Sequence, residues 1–140
     1  MTTRTVETTA HVPATAMGRM YEEHIRLILA KDIDGILQQY TPDALLISSF
    51  NDDRQPRYFR GHRELREHFQ GILGLKDLQV EIAFWAETEN PRTLMIVEAV
   101  RVVTDQGEAR MRFADNWLLR DGRIAIHFAG MVQYPDGSLA

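Results

Sequence analysis

Three side chains of this 140-residue sequence could do acid–base chemistry together: Asp115, His127 and His24. Asp115 lies in Met111-Arg112-Phe113-Ala114-Asp115-Asn116-Trp117, where strand alternation puts it on one face with Met111, Phe113 and Trp117. A carboxyl on an apolar face loses hydration, which disfavours its ionised form and tunes it toward neutral pH. His127 lies in Ile124-Ala125-Ile126-His127-Phe128-Ala129-Gly130-Met131, a segment apolar on both sides, so its direction depends on the preceding turn. A two-residue Asp121-Gly122 turn sets Asp115 across from Phe128 and sends His127 to the opposite face. A three-residue turn, Arg120-Asp121-Gly122, sets Asp115 across from His127. His24 occupies the apolar side of a helix and can reach the same space from above. Two imidazoles and a carboxyl around an apolar pocket suit proton abstraction beside a carbonyl, dehydration, or protonation that opens or closes a ring.

The elements that must position these groups follow from periodicity. Residues 1–14 show no hydrophobic period and are read as a flexible N-terminal arm, with residues 15–140 forming one domain. From Thr15, a suitable N-cap, Met17, Met20, Tyr21, His24, Ile25, Leu27 and Ile28 recur at helical spacing to about Lys31. Asp32 caps a second, shorter helix through Tyr40, and Pro42 prevents its continuation. Residues 44–50 suit a strand, 51–57 a loop, and Leu65, Phe69, Ile72 and Leu73 a third helix ending at Gly74. Segments 78–88, 92–104, 108–119 and 123–134 then read as strands separated by Asn90-Pro91, Asp105-Gln106-Gly107 and Asp121-Gly122. Connections this short require an antiparallel meander. The expected class is α+β: a cone-shaped fold in which three helices pack on the concave face of a curved antiparallel sheet, enclosing an apolar pocket.

Composition removes whole classes of function. There is no cysteine, hence no thiolate nucleophile, disulfide framework or cysteine-based metal centre. His62 and His68 are six apart on a helix, no metal-site spacing occurs, and neither a metal nor a cofactor is expected. A net charge of −4 gives little pull toward phosphate backbones, so nucleic acid is not the expected partner. Arg54, Arg57, Arg60, Arg63 and Arg66 are interleaved with Asp52, Asp53, Glu64 and Glu67 and read as a solvated face. No apolar run is long enough to span a bilayer; no membrane association and a cytoplasmic location are expected.

The element order, with Asp32-Ile33-Asp34-Gly35 at the helix junction and Leu119-Arg120-Asp121-Gly122-Arg123-Ile124 before the last strand, resembles the nuclear transport factor two-like superfamily. That group includes ketosteroid isomerases, scytalone dehydratase, limonene epoxide hydrolase and the SnoaL-like polyketide cyclases, and the resemblance runs from about Thr15 to Tyr134. It implies that His24 stands where the isomerases carry an oxyanion-binding tyrosine, and Asp115 where they carry a protonated aspartate. It also favours the three-residue turn that sets Asp115 opposite His127. Ser48 stands where the isomerases carry their proton-shuttling aspartate, and a serine without an adjacent base cannot abstract a carbon-bound proton. Steroid isomerisation by that mechanism is therefore not expected.

The resulting expectation is a cofactor-independent acid–base enzyme of cyclase, isomerase or dehydratase type, acting on a hydrophobic oxygenated small molecule. Asp115, His127 and His24 are its candidate catalytic residues, and Tyr21, Phe50, Tyr58, Phe113, Trp117 and Met131 its candidate pocket walls. Two alternatives stand beside it. One is a non-catalytic binding or dimerisation module, in which Asp115 and His127 would be sealed by packing. The other is an epoxide hydrolase, which would need a second carboxylate that only an inward Glu98 supplies; the sequence leaves the direction of Glu98 open. Met95, Val97, Leu118 and Ala125 on the outer sheet face suit a homodimer.

Overall fold

The computed structural model describes residues 3–6, 12–49, 54–74 and 76–139. Its elements run β1 (Thr3–Val6), α1 (Ala16–Leu29), α2 (Ile33–Gln38), β2 (Tyr40–Ser48), β3 (Arg57–Arg60), α3 (Gly61–Ile72), β4 (Lys76–Glu89), β5 (Arg92–Thr104), β6 (Gly107–Arg120) and β7 (Arg123–Gln133). Thr15 caps α1, its hydroxyl accepting the Gly18 N–H at 3.0 Å, and Asp32 caps α2 by accepting the Gly35 N–H at 2.9 Å. Gly18 is demanded by packing: a Cβ there would stand 1.8 Å from the Pro13 carbonyl oxygen.

β4 to β7 form the expected meander. The sheet they belong to corrects the expected architecture in two respects. It is mixed, because β2 runs parallel to β7, with Leu46 beside His127 and Ser48 beside Ala129. Those strands are separated by most of the chain, so no hairpin dictates their relative direction. The sheet is also open and not curled into a cone. Its order is β1-β4-β5-β6-β7-β2-β3, and the edge strands β1 and β3 do not pair to close it. β3 follows the expected loop, overlapping it only at Arg57, and pairs antiparallel with β2.

One face of the sheet carries the helices. α1 contributes Met17, Tyr21 and Leu27, α2 Ile36 and Leu37, and α3 Leu65 and Phe69, to a core shared with Tyr40, Leu46, Trp85, Ile96, Trp117 and Ile124. Each such side chain contributes about 1.5–3 kcal/mol on burial. A six-residue helix such as α2 owes its existence to that packing, since isolated helices so short do not hold. Tyr40 is the first residue of β2 and not the end of a helix, which places its ring on the sheet beneath His127. Among the described residues no helix is long and apolar enough to cross a membrane.

Candidate active site

The β6–β7 turn is the two-residue form, with Arg120 paired to Arg123 and positive φ at Asp121 and Gly122. Taken alone, that turn would send His127 away from Asp115. A β-bulge reverses the outcome: Leu119 pairs with Ile124 but Leu118 pairs with Ile126, leaving Ala125 as the extra residue. Asp115 is therefore opposite Ala129, Trp117 is opposite His127, and His127 shares the inner face with Asp115 as its diagonal neighbour. The three-residue turn expected from the resemblance does not occur, yet the two side chains meet, His127 Nε2 lying 2.6 Å from Asp115 Oδ1.

The Asp105-Gln106 connection is likewise two residues long, with Thr104 paired to Gly107 and no bulge along β5 and β6. Ile96 is then opposite Asp115 and Glu98 opposite Phe113, so Glu98 faces inward and is only 8% exposed. The second carboxyl that the sequence left open thus joins the site. Glu98 and Asp115 are hydrogen-bonded to each other. Tyr21 donates its hydroxyl to Glu98 Oε2 at 2.6 Å, and the Tyr40 hydroxyl lies 2.7 Å from His127 Nδ1.

These contacts fix where the protons reside. Burial, and the nearby Asp115 charge, push the Tyr40 hydroxyl well above its ordinary value, so it keeps a proton that it can donate to His127 Nδ1. Burial holds the His127 imidazole down to about 4, hence neutral. With Nδ1 accepting, the single ring proton sits on Nε2 and is donated to Asp115. Burial raises Asp115, but the hydrogen bond from Glu98 opposes that rise. Glu98 is raised well above the usual carboxyl range by burial, then by the Asp115 charge and by its bond to Asp115. The two carboxyls thus form one coupled pair, both raised by burial and Glu98 raised further by the Asp115 charge.

His24 lies nearby, its ring centroid 6.3 Å from that of His127 and 5.0 Å from that of Trp117. Burial, then the repulsion that a second proton would meet between the His24 and His127 rings, lower it to about 4. Its Nδ1 lies 2.9 Å from Gln39 Oε1. A third imidazole, His68 on α3, packs between Phe59 and Phe69 and is lowered to about 3 by burial and the other two rings.

His24, His68, Glu98, Asp115 and His127 line a cavity of about 690 Å³ between the helices and the sheet. Tyr21, Phe113, Trp117 and Met131 form walls, with Ser48, Ile96, Val100 and Ala129 between them. The exposed residues Arg54, Glu67, Gly71 and Asp136 line its outer end, so the floor communicates with solvent. Arg54 sits 3.9 Å over the Tyr134 ring and 3.6 Å from Asp136. Tyr58 is not a wall: it is 63% exposed on the edge strand β3. Phe50 lies outside the described residues.

A SnoaL-like domain model matches residues 21–127. Three solved structures show the same fold. An NTF2-like protein of unknown function from Burkholderia pseudomallei is 16% identical, with TM-score 0.68 over 84% of this chain and 91% of that one. Mycobacterium tuberculosis Rv0760c, solved in complex with estradiol-17β-hemisuccinate, is 14% identical, with TM-score 0.67 over 82% and 92%. An epoxide hydrolase of the LEH-like type from M. tuberculosis is 13% identical, with TM-score 0.62 over 81% and 80%. No curated protein matches the chain.

Proposed function

Because the chain belongs to the SnoaL-like domain family, we propose that it is a cofactor-independent acid–base enzyme of the dehydratase, isomerase or cyclase type, acting on a hydrophobic oxygenated small molecule. The observation that carries this reading is the hydrogen-bonded chain Tyr40–His127–Asp115–Glu98–Tyr21 at the floor of an open apolar cavity. Asp115 is the base and Glu98 the acid. In a dehydration, Asp115 takes the proton from the carbon beside a carbonyl while the C–O bond at the next carbon breaks. The hydroxyl leaves as water with the Glu98 proton, and the proton on Asp115 then returns to Glu98 across their shared bond. An isomerisation uses the same two groups, one removing a proton and the other delivering one. His127 and Tyr40 hold Asp115 ionised and aimed, and the apolar walls keep it poorly hydrated, which raises its basicity.

The alternative of a sealed, non-catalytic module is disfavoured by the route from the floor to the exposed outer residues. For an epoxide hydrolase, an inward Glu98 supplies the second carboxylate. The arginine such a site needs beside them is missing from the floor: among the described residues the one arginine lining the cavity is Arg54, at the outer end and facing Asp136. Acid–base chemistry without a water nucleophile therefore fits better. We further propose a homodimer through the outer sheet face. There Met95, Leu118, Ile126 and Phe128 from three adjacent strands are 36–50% exposed and contiguous. A sheet face is self-complementary about a twofold axis, which makes a second copy the matching occupant.

Nitrogen NMR of the histidines tests the site. The wild type should show His127 as the Nε2–H tautomer, neutral down to about pH 4. Asp115→Asn should move its titration further down by removing the neighbouring anion. Identical His127 spectra and titrations in the two proteins would show that no coupled site exists.

A further inference from the structure

We propose that Gln39 is a positioning residue that makes His24 a hydrogen-bond acceptor toward the cavity, and that the molecule bound there presents a hydroxyl to it. This deepens the acid–base reading above and rests on it for the identity of the cavity as the substrate site.

The argument turns on an amide that can face only one way. Gln39 follows α2 directly, and its backbone carbonyl accepts the Ile124 N–H at 2.8 Å, which ties it to β7. Its side chain lies along α1, with Nε2 3.1 Å from the Met20 carbonyl and Oε1 2.9 Å from His24 Nδ1. A backbone carbonyl can only accept, so the NH2 end of the amide must face Met20. Rotating the amide would set two acceptors against each other. The oxygen end therefore faces His24, and an oxygen there requires a proton on Nδ1. Met20 and His24 are one helical turn apart, so the amide spans a rigid interval that the helix itself maintains.

A neutral imidazole with its proton on Nδ1 has a bare lone pair on Nε2. Among the described residues, nothing donates to that atom. It is not sealed either, since the sealed side-chain polar atoms without a partner are the indole nitrogens of Trp85 and Trp117. His24 lines the cavity, so Nε2 is a vacant acceptor within it. A ketone oxygen or an ether cannot satisfy it, whereas a hydroxyl can. This differs from the donor role that the family position implied for His24: a tyrosine there would offer a proton, and this imidazole offers a lone pair. In the dehydration described above, that lone pair would hold the substrate hydroxyl and set the position of the C–O bond relative to Glu98.

The test combines a spectroscopic and a binding measurement. In the wild type, nitrogen shifts should show His24 as Nδ1–H with Nε2 unprotonated. Gln39→Leu should convert it toward Nε2–H. Gln39→Glu should retain Nδ1–H and move the His24 titration up from about 4, because an anion then faces the ring. The binding probes are 2-naphthol and 2-methoxynaphthalene, which share one ring system and differ in that a methyl group replaces the donor hydrogen. The wild type should prefer the naphthol by about tenfold, the value of one well-made hydrogen bond, and Gln39→Leu should bring the two within about threefold. An Nε2–H tautomer in the wild type, or an unchanged tautomer in Gln39→Leu, overturns the positioning role. Should Gln39→Leu not fold, the Gln39→Glu titration decides it. Failure of the naphthol to bind more tightly than its ether overturns the hydroxyl assignment. The preference is also measured in Asp115→Asn. If it survives there while the His127 spectra fail to respond, the acid–base reading falls and this one stands.

Discussion

Glu98 on β5 and Asp115 on β6 point into one cavity from adjacent strands, and burial raises both carboxyls above their ordinary values. Two carboxyls in that arrangement cannot both ionise at neutral pH without a cation, and the described residues place none beside them. The arrangement thereby supplies an acid and a base at the same moment, which neither residue would do alone.

Loss of either member should cost most of the activity. With a hydrophobic β-hydroxy ketone as substrate, Asp115→Asn and Glu98→Gln should each lower kcat by about 10²–10⁴-fold, the usual contribution of a positioned proton-transfer group. The double variant should be little worse than the worse single one, since the two act as a unit. Additive losses, measured by steady-state turnover, would mean independent roles.

Stability should carry the signature of the same pair. The folded chain keeps a proton on Glu98 that the unfolded chain releases near pH 4.3, because burial and Asp115 raise the folded value. The contribution of Glu98 is complete below its unfolded value and is lost as pH rises through the folded one. Gln keeps the shape and does not titrate. The melting temperature of Glu98→Gln relative to wild type should therefore climb from pH 5 to pH 8. His24 and His127 act in the opposite sense, withdrawing stability as pH falls from about 6.5 toward 4, but both are present in each protein and largely cancel in the difference. A difference that stays flat or falls would contradict the shared proton.

The outer face offers an independent check. Phe128→Lys introduces a charge into the apolar patch while leaving the inner face untouched, because residue 128 points away from the cavity. Light scattering at micromolar concentration should report a dimer for wild type and a monomer for the variant. A wild-type monomer would end the homodimer proposal.

Much of the fold was legible because its signals are local. Helix starts follow from the side chains of Thr15 and Asp32, and the four long strands fall within two residues of their expected bounds because turn residues separate them. The parallel pairing of β2 with β7 leaves no local trace, since strands so far apart in the chain are matched only by packing. The site was harder for a related reason. Which way His127 and Glu98 face depends on parity, and a single uncounted residue inverts it. Glu98 depended on the Asp105-Gln106 turn being two residues long, which Gly107 beside it obscured. Tyr40 continues the helical spacing of Ile33, Ile36 and Leu37, which hides its place on β2 and its link to His127; Gln39, at the same boundary, carries no motif at all.

The bulge at Ala125 has an evolutionary reading. Excising that one alanine would leave the turn intact and pair Leu118 with Ile126 in a regular ladder, so the imidazole at 127 would stay opposite Trp117 inside the chamber; keeping the alanine but drawing it into the ladder would instead bring the phenyl ring of Phe128 inside. One spelling of the strand can therefore show either ring to the chamber, according to whether a single residue is looped out of the ladder, and a relative one residue shorter here keeps the imidazole in place with no bulge at all.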